Sequence, residues 1–274
     1  MLKNKVIFLD LDGTFIDHKF TPPDSAIRAF NAAKANGHKI YMNTGRSVCQ
    51  IYDYLWELGF DGFIGGNGIY IEENRKTLFH KPLPQEPHLR VYNYLVEKGI
   101  GFFEESNDSL YAHTSYLPAF SRLLEISIEE AIEKTNTLFP TTLFNCTQPH
   151  PDINKISIVL NDEVDLDALQ QVIQPELTYG LWALFVKKRE FSDIFQAGIT
   201  KGSAIEFIMK HLGKPLSDAY SFGDGDNDLE MLQTAGTGVA MGNAIPELKA
   251  VADHVTAPIS QDGLWKAFQY FDLI

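Results

Sequence analysis

Residues 6–17 read VIFLDLDGTFID, and the order of residue types in this stretch decides the fold. Val6-Ile7-Phe8-Leu9 is a run of strand formers with no polar alternation, the pattern of a strand buried on both faces in a parallel sheet. Read as a strand over 6–11, it ends at two acids one residue apart, Asp10 and Asp12, with Gly13 and Thr14 next. Charge at such a place is costly unless a metal or hydrogen bonds compensate it. A strand end beside a Gly-Thr turn can put both carboxyl groups at the mouth of a crevice. By itself, Asp-x-Asp-Gly can equally cap a strand and begin a turn.

Outward from this stretch the chain alternates strand and helix. Thr21-Pro22-Pro23-Asp24 opens a helix to about Asn36, where Gly37 stops it. HKIYMNTGR (38–46) gives a strand ending at Asn43-Thr44, and SVCQIYDYLWELG (47–59) has the spacing of an amphipathic helix. GFIGGNGIYI (62–71) reads as strand, glycine-rich turn, strand. The rhythm returns late in the chain. TKGSAIEFIMKHLG (200–213) is a helix, AYSFGDGDND (219–228) a strand into a loop, and LEMLQTAG (229–236) a helix. TGVAMGNA (237–244) is a strand and turn, and PELKAVA (246–252) a short helix. Such alternation predicts an α/β core with a parallel sheet covered by helices.

The middle of the chain differs. After the proline-rich HKPLPQEP (80–87) come long helical patterns at 88–98 and 118–138 and strands such as KISIVL (155–160) and LWALFVKKREF (181–191). This predicts a second, α+β domain over 82–193, inserted between core segments 1–81 and 194–274.

With 274 residues, 45% of them hydrophobic, the chain can bury a substantial core. No apolar run is long enough to span a membrane, and the N-terminal apolar stretch is too short for a signal peptide. The net charge of −13 and the lack of a Lys/Arg stripe argue against nucleic-acid binding. Cys49 and Cys146 read as isolated thiols in a reducing compartment, which gives a cytoplasmic location as the default.

An aspartate beside a second acid can attack a phosphoryl group to form an aspartyl-phosphate that water then hydrolyses. The obstacle is an anion approaching an anion, and a divalent cation bridging the two removes most of that penalty. The second acid protonates the leaving oxygen and then activates water. Asp10 and Asp12 can divide these roles. Thr44 offers a hydroxyl, and its segment offers backbone N–H groups, to phosphate oxygens. Lys201 stands where a helix begins, so its ammonium and the helix N-terminus both favour an anion. Asp224 and Asp228 can ligate or orient a hard cation, and Mg²⁺ suits that oxygen set.

DLDGT, NTGR, TKGSAI and GDGDNDLEML, with GGNGIY and GVAMGNA, occur in an order that resembles the haloacid dehalogenase-like phosphatases, specifically the Cof-type branch with a C2-type cap. The resemblance implies a Rossmann-like three-layer core with an inserted α+β cap. It implies Asp10 as nucleophile and Asp12 as general acid/base, with the Asp12 carbonyl also on the metal. It further implies Thr44, Gly45 and Lys201 on the phosphoryl group and Asp224 as direct Mg²⁺ ligand. Asp228 would hold metal-bound water or Lys201, and Asn227 would lie at the site's edge. Arg46, Asn67 and Asn243 are secondary candidates. Asn43 departs from the pattern, which often has a small residue there.

Competing readings are weaker. An EF-hand over Asp224, Asp226 and Asp228 fails, because Leu229 occupies the glycine position and Ala235 that of the bidentate acid. GTGVAMG lacks the spacing of a nucleotide fingerprint. Asn67 and Asn243 can be turn residues, and Arg46 a surface cation. The expected activity is Mg²⁺-dependent hydrolysis of small phosphate monoesters, sugar phosphates or related metabolites. A phosphomutase or phosphotransferase on sugar phosphates is the alternative, and a non-catalytic phosphometabolite sensor the third reading.

Overall fold

Strand β1 (Val6–Leu9) is completely buried, as its unbroken apolar run requires. It ends at Leu9, two residues earlier than the sequence pattern suggests. The chain turns there because the N–H groups of Thr14, Phe15 and Ile16 all donate to the Leu11 carbonyl. The computed structural model describes residues 4–162, 164–182 and 190–274.

Two units are formed, the first from Met1–Gly45, Tyr52–His80 and Gly198–Ile274, the second from Arg46–Ile51 and Lys81–Ala197. After β1 the first unit continues with α1 (Asp24–Ala35), β2 (Lys39–Asn43), α2 (Asp53–Glu57), β3 (Gly62–Gly65), β4 (Tyr70–Glu73) and β5 (Lys76–His80). The amphipathic pattern of 47–59 is not one helix. Val48–Gln50 forms a short turn, Ile51 and Tyr52 are extended, and only α2 is α-helical. The reason lies far along the chain: Ser47 Oγ donates to Glu105 (3.2 Å) and Cys49 Sγ to the Ser106 carbonyl (3.3 Å), drawing residues 46–51 into the second unit.

The second unit contains α3 (Gln85–Lys98), β6 (Phe102–Glu105), β7 (Leu110–His113), α4 (Tyr116–Leu124), α5 (Ile128–Leu138), β8 (Thr142–Cys146), β9 (Lys155–Val159), α6 (Leu166–Ile173), β10 (Leu177–Trp182) and β11 (Phe191–Gln196). The helical pattern at 118–138 is broken. Glu125 turns left-handed at φ 56°, and Ser127 starts α5 with a capping box to Glu130. The strand read over 181–191 falls partly outside the described residues. The sheet runs β10-β11-β9-β6-β7-β8, antiparallel except for β7 and β8. One of its faces packs Phe102, Ile156, Ile158 and Ile194 against Val91, Leu95, Leu169 and Ile173 of α3 and α6. On the other, Lys155 pairs with Glu105 (3.2 Å) and Asp193 (2.6 Å) in a buried polar row.

The first unit is completed by α7 (Lys201–His211), β12 (Ala219–Gly223), α8 (Leu229–Thr234), β13 (Thr237–Ala240), α9 (Pro246–Val251), β14 (His254–Val255) and α10 (Gly263–Tyr270). Its sheet order is β14-β13-β12-β1-β2-β3-β4-β5. The strands from β14 to β3 are parallel, whereas β4 and β5 form an antiparallel edge that a purely parallel sheet does not provide for. Val6 and Phe8 point to a core shared with Ile205, Ile208, Met231 and Leu248 of α7, α8 and α9. On the opposite face α1 packs on α10, and Phe222 meets Phe268. The result is the three-layer α/β arrangement expected from the alternation, with an α+β second unit.

Candidate active site

The chain order of the sheet reverses at β1: β2 and β3 lie on one side, β12 and β13 on the other. A crevice at the C-terminal ends of the strands is expected at such a switch point. Asp10 follows β1, Thr44 follows β2 and Asp224 follows β12, while Lys201 is the first residue of α7. The backbone N–H of Asp10 still donates to the Phe222 carbonyl (3.0 Å), so the nucleophile candidate sits at the last rung of the ladder.

Lys201 is completely buried and donates to Asp10 Oδ1 (2.6 Å) and Asp228 Oδ1 (2.7 Å). The other Asp228 oxygen, Oδ2, accepts the backbone N–H groups of Asp224 (2.9 Å) and Gly225 (3.0 Å). Asp228 therefore ties the GDGDND loop to the lysine. Lys201 is engaged by carboxylates, and Thr200 caps its helix by accepting from the Ser203 amide (3.2 Å).

Asp224 accepts from Thr14 Oγ1 (3.1 Å) and Asn243 Nδ2 (3.2 Å). Asn243 Nδ2 also donates to the Gly13 carbonyl (2.9 Å), and its Oδ1 accepts from the Ile259 amide. Gly13 has φ 86°, and a Cβ there would lie 2.2 Å from Asp224 Oδ2, so only glycine lets the carboxylate approach. Asp12 is exposed beside this turn. The hydroxyl-bearing Thr44 is buried, and its own N–H donates to the Ile64 carbonyl (2.9 Å); that amide, offered to phosphate in the sequence reading, is used by the sheet.

Among the sequence candidates, Asn67 and Asn227 are bonded to each other (3.0 Å) beside Gly45. Arg46 donates to the Gln50 carbonyl within the second unit. Asp226 is exposed. Sequence reasoning passed over two contributors. Thr14 was visible in DLDGT but read as turn material. Asn43, noted only as a departure, is completely buried and donates to the Lys201 carbonyl (3.1 Å).

Carboxylate oxygens of Asp10, Asp224 and Asp228 lie within 4.8 Å of one another. Burial is the main force lifting the Asp10 carboxyl well above the usual range; Lys201 opposes it, and Asp228 and Asp224 add to it. Burial, then Asp228, pushes Asp224 up to about 7. Burial depresses the Lys201 ammonium, but Asp10 and Asp228 outweigh it and raise the group above its ordinary value. Three carboxyl groups thus crowd one ammonium, and every one of them is an oxygen donor. That donor set fits a hard divalent cation. Asp228 has one oxygen on the Lys201 ammonium and the other on two backbone N–H groups, whereas each Asp224 oxygen meets a single neutral donor, so Asp10 and Asp224 are the side chains best placed to hold one.

Residues 7–268 match the haloacid dehalogenase-like hydrolases. The chain belongs to this family. Of its relatives, the Bacillus subtilis protein YkrA, named as a phosphatase, is 31% identical over the full length of both chains. Pyridoxal phosphate phosphatase YbhA of Escherichia coli is 29% identical, again over the full length of both. Among solved structures, the subclass IIB sugar phosphatase BT4131 superposes with a TM-score of 0.76 at 29% identity, covering 98% of this chain and 100% of that one. The protein is accordingly a haloacid dehalogenase-like enzyme of the Cof-type phosphatase branch.

Proposed function

We propose that this phosphatase hydrolyses small phosphate monoesters, sugar phosphates or related metabolites, through an aspartyl-phosphate on Asp10. The observation carrying the reading is the placement of Asp10 and Asp224 on adjacent strand ends, with Lys201 bonded to Asp10. Lys201 holds Oδ1 and fixes the carboxylate's rotation, so Oδ2 is the oxygen that attacks phosphorus. As the Oδ2–P bond forms, the bond from phosphorus to the ester oxygen breaks, and Asp12 gives its proton to that oxygen. In the second half, water attacks phosphorus, Asp12 takes up its proton, and the Asp10–phosphorus bond breaks to release phosphate.

Exposure of Asp12 at the turn suits exchange of protons with a leaving group and with water. Thr44 donates its hydroxyl to a non-bridging phosphate oxygen. Mg²⁺, held by Asp10, Asp224 and the Asp12 carbonyl, would offset the repulsion between carboxylate and phosphate when bound. Thr14 and Asn243 keep Asp224 turned toward Asp10. We assign the choice of leaving group to the second unit, read as the inserted cap, and the cellular setting to the cytoplasm.

The similarity to proteins named as sugar and pyridoxal phosphate phosphatases supports a small phosphorylated metabolite as substrate. The test is release of inorganic phosphate from a panel of sugar, polyol and cofactor phosphates with Mg²⁺ present. At least one should be hydrolysed faster than a generic aryl phosphate. Transfer of labelled phosphate between two positions of one sugar without release would replace hydrolysis by mutase chemistry.

A further inference from the structure

Gly66, Asn67 and Gly68 pass through three successive positive φ values, 56°, 60° and 107°. Glycine takes such backbone without steric cost, and asparagine does not, so a third glycine is the locally favoured residue at 67. The asparagine side chain that stands there is buried and does something a glycine cannot: its Oδ1 accepts from Asn227 Nδ2 at 3.0 Å. Its backbone N–H donates to the Thr44 carbonyl at 3.1 Å. A Cβ on Gly68 would come within 2.5 Å of the Thr200 carbonyl, so the same turn is packed against the start of α7. One residue therefore touches the Thr44 turn and the GDGDND loop, and its neighbour touches the helix that carries Lys201.

Gly45 supplies a separate observation. A Cβ there would lie 3.2 Å from Asn67 Oδ1 and 3.3 Å from Asn227 Nδ2, tighter than ordinary contact. The Asn67–Asn227 pair fills the space beside Gly45, and the absence of a side chain at 45 lets the pair close.

We infer that Asn67 is a positioning residue: its side-chain clasp on Asn227, together with its N–H on Thr44, fixes the spacing between the Thr44–Gly45 turn and the Asp224–Asp228 loop. The inference rests on the phosphatase reading above and adds a part to it. Asn67 acts through Thr44 and the aspartate loop and does not itself touch the reacting atoms.

Asn67→Gly isolates the clasp, because glycine keeps the left-handed backbone and the N–H to Thr44 and removes only the amide. With an aryl phosphate and Mg²⁺, Asn67→Gly should lose about 10- to 100-fold in kcat/KM, with kcat lowered and KM raised, the cost of misplacing a group held close to the chemistry. Its Tm should stay within about 4 °C of wild type. Asn227→Ala should show the same loss, and the double variant should be no worse than either single one, since both delete one bond. Calorimetric binding of inorganic phosphate gives a readout independent of turnover, and the single variants should bind it more weakly. Wild-type kcat and phosphate affinity in Asn67→Gly, or losses that multiply in the double variant, would overturn the inference. A wild type that binds phosphate but hydrolyses no ester would overturn the phosphatase reading alone, and phosphate affinity in the variants would then decide the clasp. A wild type that does neither overturns both.

Discussion

The Lys201 ammonium lies 2.6 Å from Asp10 Oδ1 and has no exposed surface, so the candidate nucleophile is held by a cation that water does not reach. Asp228, equally buried, holds the same ammonium from the other side at 2.7 Å. Removing one member of such a set leaves the others buried and uncompensated. Lys201→Met should cost about 3–5 kcal/mol of stability at neutral pH, measured by urea unfolding. It should also reduce phosphate release more than its lost stability accounts for, when assayed well below its Tm.

Thr44 follows β2, its amide donating to the Ile64 carbonyl and its carbonyl accepting from the Asn67 amide, and its side chain carries the hydroxyl assigned to the phosphate. Thr44→Val keeps the shape and removes that donor. Turnover should fall by roughly 10²-fold if the hydroxyl acts as a preorganised donor to the developing charge. Steady-state kinetics on one ester decides this, and an unchanged rate would remove Thr44 from the site.

Glu73, at the end of β4, gives a pH dependence away from the site. Burial raises its carboxyl, but the bonds from Lys39 (2.7 Å) and Tyr41 (2.6 Å) outweigh burial and hold it below the ordinary glutamate value. A carboxyl lowered in the folded state binds its proton more readily in the unfolded chain. Its contribution is therefore complete above the unfolded value of about 4.3 and is lost as pH falls through the folded one. Glu73→Gln should flatten the loss of stability below about pH 5 and leave a constant deficit at neutral pH, read from urea midpoints between pH 3 and 7.

Cys49 and Cys146 are both free thiols. Burial, then the charge of Glu105, pushes the Cys49 thiol up to about 12. Since the thiolate is the reactive form, iodoacetamide should label Cys49 slowly in the native protein up to pH 9 and rapidly after unfolding. Equal native and denatured rates at Cys49, read by peptide mass, would show that the packing around Ser106 and Glu105 is not as described.

The parts of the molecule legible in the sequence are those in which local pattern and burial agree. Val6 to Leu9 has no polar alternation and is buried on both faces. Asp10, Thr44 and Asp224 each follow one of three neighbouring strands, and Lys201 begins a helix, so their places follow once the sheet order reverses at β1. The resemblance implies Asp228 on metal-bound water or on Lys201, and Asp228 accepts from the Lys201 ammonium at 2.7 Å. What escaped depends on distant partners. The apolar spacing of 47–59 is helical, yet Glu105 and Ser106 capture Ser47 and Cys49 and break it. Asn243 reaches Gly13 across 230 positions, a bond that no spacing encodes. The break between α4 and α5 was within reach: Ser127 and Glu130 spell a capping box inside the pattern read as one helix.

The central claim is that Asp10 carries the phosphoryl group, and Asp10→Asn tests it most directly. Phosphate release from an aryl phosphate is measured with Mg²⁺ for wild type and variant, with a chelator as control and folding checked by circular dichroism. The account predicts turnover by wild type, its loss on chelation, and a folded variant without measurable activity. Full activity in Asp10→Asn would contradict it, because the attacking oxygen would then have to come from another group.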